Sequence, residues 1–360
     1  MGFPDRRQGL MPVVTNTQKT DIHDNMKRLF LLLVVCTLFT ITLFSQQSMT
    51  LMFCNAENLF DTEDDPLKDD DAFTPDGDYR WTRSRYWDKL DAISKVIVAA
   101  DEEQAPAIVG LAEVENETVM TDLTVRSALR KAGYNFVMTD SPDRRGIDVA
   151  LLYRRSFFRL LGYESLRVNL RPLGGSATRD ILHVTGLLEN LDTLDIYVCH
   201  WPSRYGGTEQ TEPLRICAAK VVRASVDSIF SVRRKPYVMI MGDLNDGPDA
   251  PAVRDGLNAY AFEWGRNKSD RELVTVMDPL DDGSYKYDGL WDKYDQFVVS
   301  ASLLNGLGCT EMMSAEIMRL PFLLTDDDAY GGVKPFRTYN GRRYQNGYSD
   351  HLPVKMRIGF

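Results

Sequence analysis

Short apolar runs that end in an acid, an amide or an imidazole recur along the whole of this 360-residue chain. Runs of this length, bounded by turn residues, read as strands buried on both faces. The spacing predicts strands over 50–54, 107–112, 134–138, 148–154, 157–168, 181–188, 193–199, 237–241, 296–300 and 353–358. Between them, 85–100 has helical spacing (Tyr86, Leu90, Ile93, Ile97). A second helix is expected over 119–132, ended by Gly133. A third, amphipathic, is expected over 212–230, with Pro213 near its start where the missing N–H costs nothing. The strands are too many for a simple doubly wound sheet, and several are hairpin-connected. An α/β class fold with two packed β-sheets and helices outside is the expectation.

The exits of these runs carry the chemistry. The first ends Cys54-Asn55-Ala56-Glu57-Asn58 and the second ends Glu113-Val114-Glu115. Others end Cys199-His200-Trp201-Pro202 and Gly242-Asp243-Leu244-Asn245. Two late runs are preceded by Tyr294-Asp295 and by Tyr348-Ser349-Asp350-His351. Singly, each reads as turn or cap chemistry, because Asn and Asp favour turns and helix N-termini. Two of the chain's four histidines stand at such exits, however. Clefts in α/β folds gather at strand ends, where loops hold side chains against a rigid sheet.

The N-terminus reads as a processed segment. Lys27 and Arg28 precede an apolar run from Leu29 to Phe44, followed by Ser45-Gln46-Gln47. The run is shorter than the roughly 20 residues a membrane-spanning helix needs, and its flanks are those of a secretory signal. The organisation expected is an upstream extension over 1–25, a signal peptide over 26–45 and one catalytic domain over 46–360. The product would be exported, periplasmic or extracellular, with no stable membrane span after processing and no protein partner implied. Residues 1–45 hold five basic and three acidic residues, so the remainder carries −12 against −10 for the whole chain. Bulk charge then cannot hold nucleic acid, whose non-specific affinity comes from neutralised phosphates. An acidic protein acting on phosphate needs a local cationic pocket or a metal. Cys54, Cys199, Cys217 and Cys309 are expected to be free thiols, three of them buried in strand-like or helix-like runs.

The ordered segments FCNAENLF, GLAEVEN, RGIDVALLYR, CHWPSRYGG, MGDLNDGPD, YDQFVVS and YSDHLPV resemble the endonuclease/exonuclease/phosphatase superfamily over roughly 49–360. The NAENLF and HWPSRYGG forms are similar to its bacterial exported branch. The resemblance implies a four-layer α/β sandwich, two packed mixed β-sheets flanked by helices. It also implies a metal-dependent phosphoesterase, with the nuclease type as the first expectation. Two departures bear on secondary substrate contacts: Cys199 and Ala112 stand where relatives often have Asn and Gln.

Phosphodiester hydrolysis needs a hard divalent cation, an activated water and stabilised phosphoryl oxygens. Mg²⁺, with Mn²⁺ as a substitute, takes oxygen ligands and keeps several waters. Glu113 is the best candidate ligand, and by resemblance the main metal carboxylate. Asn55 and Asp350 are the further metal candidates. Asp243 is expected to orient or deprotonate the attacking water, and Asn245 to bond the scissile phosphate. His351 is expected to be cationic, with Asp295 on its other ring nitrogen. His200 would serve the leaving-group side or a second phosphoryl oxygen. Glu57 and Asp148 are expected to play supporting roles.

The segment 334–348, KPFRTYNGRRYQNGY, interleaves arginines with aromatics, which suits phosphates and stacked bases. Arg145, Arg204, Arg337 and Tyr339 are the substrate-binding candidates, on a local cationic rim facing nucleic acid. The Asp-rich stretch 61–78 is expected to be a flexible, solvated cleft lip. Its spacing does not match an EF-hand loop. Two other functions stay open: a phosphoesterase for phospholipid head groups or phosphorylated small molecules, of sphingomyelinase or inositol-phosphatase type, and a non-catalytic binding protein on the same fold.

Overall fold

The computed structural model describes residues 26–31, 48–261, 269–277, 283–306 and 315–359. The chain divides into two compact units, Met1–Gln47 and Ser48–Phe360. In the first, 26–31 is helical and exposed; the rest of the expected signal segment lies outside the described residues, as does Cys309. Among the described residues no helix is long and apolar enough to cross a membrane.

The strands in chain order are β1 Ser48–Leu59, β2 Ile108–Val114, β3 Tyr134–Met138, β4 Asp148–Arg154, β5 Phe158–Leu166, β6 Ile181–Leu188, β7 Thr193–His200, β8 Tyr237–Asp243, β9 Ala259–Ala261 and β10 Leu273–Thr275. They continue as β11 Tyr285–Tyr287, β12 Leu290–Asp292, β13 Asp295–Ser300, β14 Glu316–Ile317, β15 Leu324–Asp326, β16 Val333–Pro335, β17 Tyr339–Asn340, β18 Arg343–Tyr344 and β19 Val354–Gly359. Six form one sheet in the order β14-β19-β1-β2-β4-β3, and seven form another in the order β5-β6-β7-β8-β13-β10-β9. Both are mixed: β1 pairs parallel with β2 and antiparallel with β19, and β8 pairs parallel with β7 and antiparallel with β13.

Strand periodicity distributes the core. Alternate residues of β1 and β4 (Leu51, Phe53, Val149, Leu151) meet alternate residues of β7 and β8 (Ile196, Val198, Met239, Met241) between the sheets. The opposite face of β1 and β2 (Met52, Cys54, Val109, Leu111) packs on helix Arg83–Val98 through Leu90, Ile93 and Ile97. The opposite face of β7 and β8 (Tyr197, Cys199, Val238, Ile240) packs on helix Thr208–Val232 through Ala218, Val222 and Val226. Helix, sheet, sheet and helix make four layers, as the sequence led one to expect. Each such fully buried aliphatic side chain contributes on the order of 1.5–3 kcal/mol. Gly110 lets the sheets approach: a Cβ there would lie 2.6 Å from the Met241 sulfur.

Several elements differ from expectation. The 119–132 helix is broken into Glu117–Thr121, a π turn over Asp122–Arg126 and a 3-10 turn over Ala128–Lys131. Thr124 and Ser127 turn their hydroxyls onto the Met120 and Leu123 carbonyls, which competes with the regular helical ladder. Pro213 lies inside the long helix, which begins at Thr208, so it removes a helical hydrogen bond there. The 61–78 stretch is not a free lip. Phe73 stacks on Phe60 (4.5 Å) and Tyr79 (4.6 Å), and the Trp81 indole donates to the Phe60 carbonyl. Two of its acids also make surface ion pairs, Asp69 with Arg144 at 2.9 Å and Asp78 with Arg342 at 2.6 Å. Cys54 and Cys199 are buried free thiols, and Cys217 is free and half-buried.

Candidate active site

Three strands of the seven-stranded sheet end level with one another. β7 places His200 opposite Asp243 of β8, and β13 places Asp295 opposite the same residue from the other side. An imidazole and two carboxylates therefore stand in one row. Gly242 permits the spacing, since a Cβ there would come within 2.3 Å of the Cys199 carbonyl oxygen on β7.

The other sheet supplies residues from irregular strand ends. Pairing of β1 with β2 shifts register between Asn55 and Leu59, and that of β2 with β4 between Ala112 and Val114. There the backbone is left-handed at Glu57 (φ 50°), Asn58 (φ 54°) and Glu113 (φ 59°). A non-glycine residue in this region costs roughly 1–2 kcal/mol, and a bulge re-aims the side chain. Hydrogen bonds hold the conformation. The Glu57 N–H donates to Asn55 Oδ1 (2.9 Å) and the Asn58 N–H to Glu113 Oε2 (2.9 Å). Asn245 is left-handed too (φ 50°), its N–H donating to Asp243 Oδ1 at 3.0 Å. The segment before β19 is tied to β1 because the Ser349 hydroxyl donates to the Asn55 carbonyl (2.7 Å) and accepts the His351 N–H (3.1 Å).

These elements converge on one carboxylate. Asp243 Oδ2 accepts from Asn55 Nδ2 at 3.1 Å and lies 3.6 Å from His200 Nε2 and 3.7 Å from His351 Nε2. His200 Nε2 lies 3.9 Å from Glu113 Oε1. His351 Nδ1 bonds Asp295 Oδ2 at 2.7 Å. Asn55, His200, Asp243, Asp295 and His351 are all buried. Burial pushes the Asp243 carboxyl up to about 7; the His351 charge opposes this and the Asp295 charge reinforces it. Burial disfavours charge on His351, but Asp295 and then Asp243 outweigh it and hold the imidazole well above its ordinary value. His200 is held well below, by burial and then by Arg179, Arg145 and His351. A base poised near neutrality thus faces a cationic donor in a dry site, which suits proton removal and charge stabilisation together.

The profile of the Endonuclease/Exonuclease/phosphatase family matches residues 50–359. This chain belongs to the endonuclease/exonuclease/phosphatase family. Membership, with the buried Asp243, Asp295 and His351 cluster, makes it a phosphoesterase of that family. No curated protein matches the chain by sequence. Among solved structures it is similar in fold to an endonuclease/exonuclease/phosphatase family protein from Bacteroides thetaiotaomicron (TM-score 0.54, 14% identity, covering 88% of this chain and 99% of that one). It is similar as well to truncated Caenorhabditis elegans TDP2 (0.52, 14%, 87% and 98%). A mannosyl-6-phosphatase from B. thetaiotaomicron gives 0.53, 14%, 87% and 100%.

A divalent cation is implied by the family, and the donor set fits one. Glu113 Oε2 is occupied by Asn58 and Arg145, but Oε1 meets only His200, at 3.9 Å. Its free carboxylate oxygen and the Asn55 amide oxygen are of the hard kind such a cation prefers. Asp243, Asp295 and His351 also offer ligand atoms within 4.8 Å of one another. The 2.7 Å bond between Asp295 and a protonated His351 makes that pair a poorer ligand set than the Glu113 side. Asp350 accepts from Arg337 Nη2 at 3.0 Å.

The structure distributes the rim candidates differently from one another. Arg145 pairs with Asn58 and lies 3.5 Å from Glu113, at the cluster. Arg337 bridges Glu57 (3.2 Å) and Asp350 (3.0 Å). Arg204 bonds the Asn245 carbonyl and Asp246 and covers the Tyr294 ring at 4.7 Å. Tyr339 is buried, its hydroxyl committed to the Tyr79 carbonyl, so it packs the 61–78 strap rather than presenting a face for stacking. The Asn245 amide donates to the Trp201 carbonyl at 3.0 Å. Asp148 binds Thr139 and the Ser141 N–H, bracing the loop that carries Arg145.

Sequence reasoning missed Lys89. It is fully buried, its ammonium on Thr338 Oγ1 (2.6 Å) and the Tyr348 carbonyl (2.6 Å), 4.0 Å from Glu57. Its position inside the Tyr86, Leu90 and Ile93 stripe was a signal, because a lone charge on an apolar helix face needs a buried partner.

Proposed function

We propose that the chain is an exported, Mg²⁺-dependent hydrolase of compact phosphoesters, in which Asp243 takes a proton from the attacking water. The observation that carries the chemistry is the single buried carboxylate oxygen, Asp243 Oδ2, set between His200 and His351. Asp295 fixes the His351 tautomer through Nδ1, which leaves Nε2–H for a phosphoryl oxygen as charge develops. His200, kept neutral, serves a second oxygen. Asn55 and the Asn245 N–H orient Asp243 from opposite sides. The cation, when bound on the Glu113 side, would lower the pKa of water and neutralise phosphoryl charge.

The rim favours a small substrate. Arg204 is held by the buried Asp246 and stacked on Tyr294, and the neighbouring Arg144 and Arg342 face acids of the 61–78 strap, which put negative charge on the rim. A long polyanion needs unpaired cations, and the chain carries −10. The nuclease reading stands second. It is favoured by Arg145 and Arg337, whose side chains are 48% and 45% exposed beside the cluster and free to exchange partners with phosphate. Export is supported by Lys27-Arg28 and the apolar run after them, and N-terminal sequencing of the secreted product tests it.

The deciding assay offers the purified protein, with Mg²⁺, plasmid DNA, single-stranded DNA, RNA, sphingomyelin, inositol phosphates, p-nitrophenyl phosphate and its diester. Turnover of the small esters that falls about 10²–10⁴-fold in Asp243→Asn is expected. Cleavage of polynucleotide in preference to small esters would replace the first reading by the second. Inertness throughout, with Mg²⁺ affinity equal in wild type and Glu113→Ala, would leave only a binding protein.

A further inference from the structure

Tyr285 stands beside the cluster and none of the roles above uses it. It opens β11 and faces His351 across an isolated antiparallel bridge. Its neighbour Ser284 fixes it there: the hydroxyl accepts the Asp295 N–H (3.1 Å) and the carbonyl accepts the Leu352 N–H (2.7 Å). The Tyr285 ring lies 4.7 Å from the His351 ring and 5.2 Å from Tyr294, which in turn is covered by the Arg204 guanidinium at 4.7 Å. A continuous stack, Arg204 on Tyr294 on Tyr285 on His351, therefore ends at the catalytic imidazole.

The ring is fully engaged in this stack, while its hydroxyl has no hydrogen-bond partner among the described residues. The charges acting on that hydroxyl are those of the cleft. Burial and then Asp350 push the phenol up to about 12, against Arg337, with Asp243 contributing as well. It keeps its proton at neutral pH and is a donor. Backbone pairing and ring stacking fix where that donor sits, so little rotational freedom is lost on binding.

We propose that Tyr285 is a substrate-contacting residue, its hydroxyl donating to an oxygen of the phosphoryl group that His351 serves. The inference rests on the phosphoesterase reading and adds a donor to it. Removing one donor to a charged oxygen costs about 10- to 100-fold.

Tyr285→Phe keeps the ring and deletes only the hydroxyl; Tyr285→Leu deletes the stack as well. Both are compared with wild type, with Mg²⁺, for kcat and KM on p-nitrophenyl phosphate and its diester, for melting temperature, and for affinity toward inorganic phosphate. The expected result is a loss of about 10- to 100-fold in kcat/KM for Tyr285→Phe, a similar or larger loss for Tyr285→Leu, and an unchanged melting temperature for Tyr285→Phe. Wild-type kcat/KM and phosphate affinity in Tyr285→Phe would overturn the assignment and leave the phosphoesterase reading standing. A large drop in its melting temperature would overturn it too, by showing the hydroxyl to be structural. If wild type turns over neither ester, that reading fails and phosphate affinity decides: weaker binding by Tyr285→Phe supports the contact, and equal or absent binding ends it.

Discussion

His200 and His351 approach the same carboxylate oxygen of Asp243, at 3.6 and 3.7 Å, and carry opposite charge states. The difference lies behind the rings. His351 has Asp295 on its far nitrogen, whereas His200 Nδ1 is buried with no partner among the described residues and feels Arg179 and Arg145. Only one of two imidazoles so close together is held as a cation, since the charge on His351 itself lowers His200.

Asp295→Asn tests that division. Activity needs Asp243 ionised and His351 protonated, so kcat/KM should rise with pH through the Asp243 value, which is about 7 without the cation and lower with it, and fall through the higher His351 value. The two titrate together, and the profile reports the pair. Without the Asp295 charge, His351 drops toward its ordinary range. The alkaline limb should move to lower pH and kcat should fall about 10²–10³-fold. A pH–rate profile measures both; an unmoved alkaline limb would show that Asp295 does not set the His351 charge.

Gly242→Ala probes the spacing of β7 and β8. The added methyl would sit 2.3 Å from the Cys199 carbonyl oxygen and 2.8 Å from the Cys199 Cβ, and backbone cannot give as a side-chain tip can. Overpacking of this kind costs roughly 1–3 kcal/mol. It also moves His200 relative to Asp243, so activity should fall further than stability explains. Urea unfolding beside kcat measures this, and a variant with wild-type values for both would show that the strands have slack.

Much of the site was legible because its residues stand where strands end. Asn55, Glu113, His200, Asp243, Asp295 and His351 each interrupt or border an apolar run, and the two-residue strand period set the register that brings them abreast. What escaped depends on contacts remote in sequence. Tyr339 belongs to an Arg-aromatic segment that reads as a stacking surface, yet Tyr79 and Trp81 enclose it. Lys89 is separated from Thr338 by 249 residues. Most acids of 61–78 are solvated as expected, but only the fold sets Asp69 and Asp78 against Arg144 and Arg342 and seats Phe73 on Phe60 and Tyr79. The break near residue 122 arises from hydroxyl groups that compose equally well into a helix or a turn.

Lys89→Met removes a buried cation beneath the cleft wall. Lys89 satisfies Thr338 and the Tyr348 carbonyl and faces Glu57, whose carboxyl burial and then the Asp350 charge push up to about 7. Losing the ammonium leaves the Thr338 hydroxyl and the Tyr348 carbonyl without that donor, at about 1–3 kcal/mol, while Glu57 keeps Arg337 at 3.2 Å. Glu57→Gln in the same background should restore part of that loss by removing a buried carboxylate that has lost one of its two nearby cations. Urea unfolding of the two single variants and the double variant gives the coupling, and additive losses would show that the lysine and the glutamate act independently.

Stability should itself depend on pH and on the cation. His351 is held above its ordinary value of 6.5, so its contribution is complete below pH 6.5 and lost as pH rises through the folded value. Asp243 is an acid raised from 3.8 to about 7, so the folded state holds a proton there that the unfolded chain releases; this contribution is complete below pH 3.8 and is lost as pH rises from there to 7. The two have the same sign. In EDTA the unfolding midpoint should therefore fall between pH 6 and pH 9. A divalent cation held on the Glu113 side would favour the ionised Asp243 by its charge, and saturating Mg²⁺ at about 100 times its dissociation constant would add about 2.7 kcal/mol. The Mg²⁺-induced rise in melting temperature should be larger at pH 8.5 than at pH 6, and Glu113→Ala should abolish it at both. A rise of equal size at the two pH values would separate the cation from Asp243, and its survival in Glu113→Ala would remove that glutamate from the ligand set.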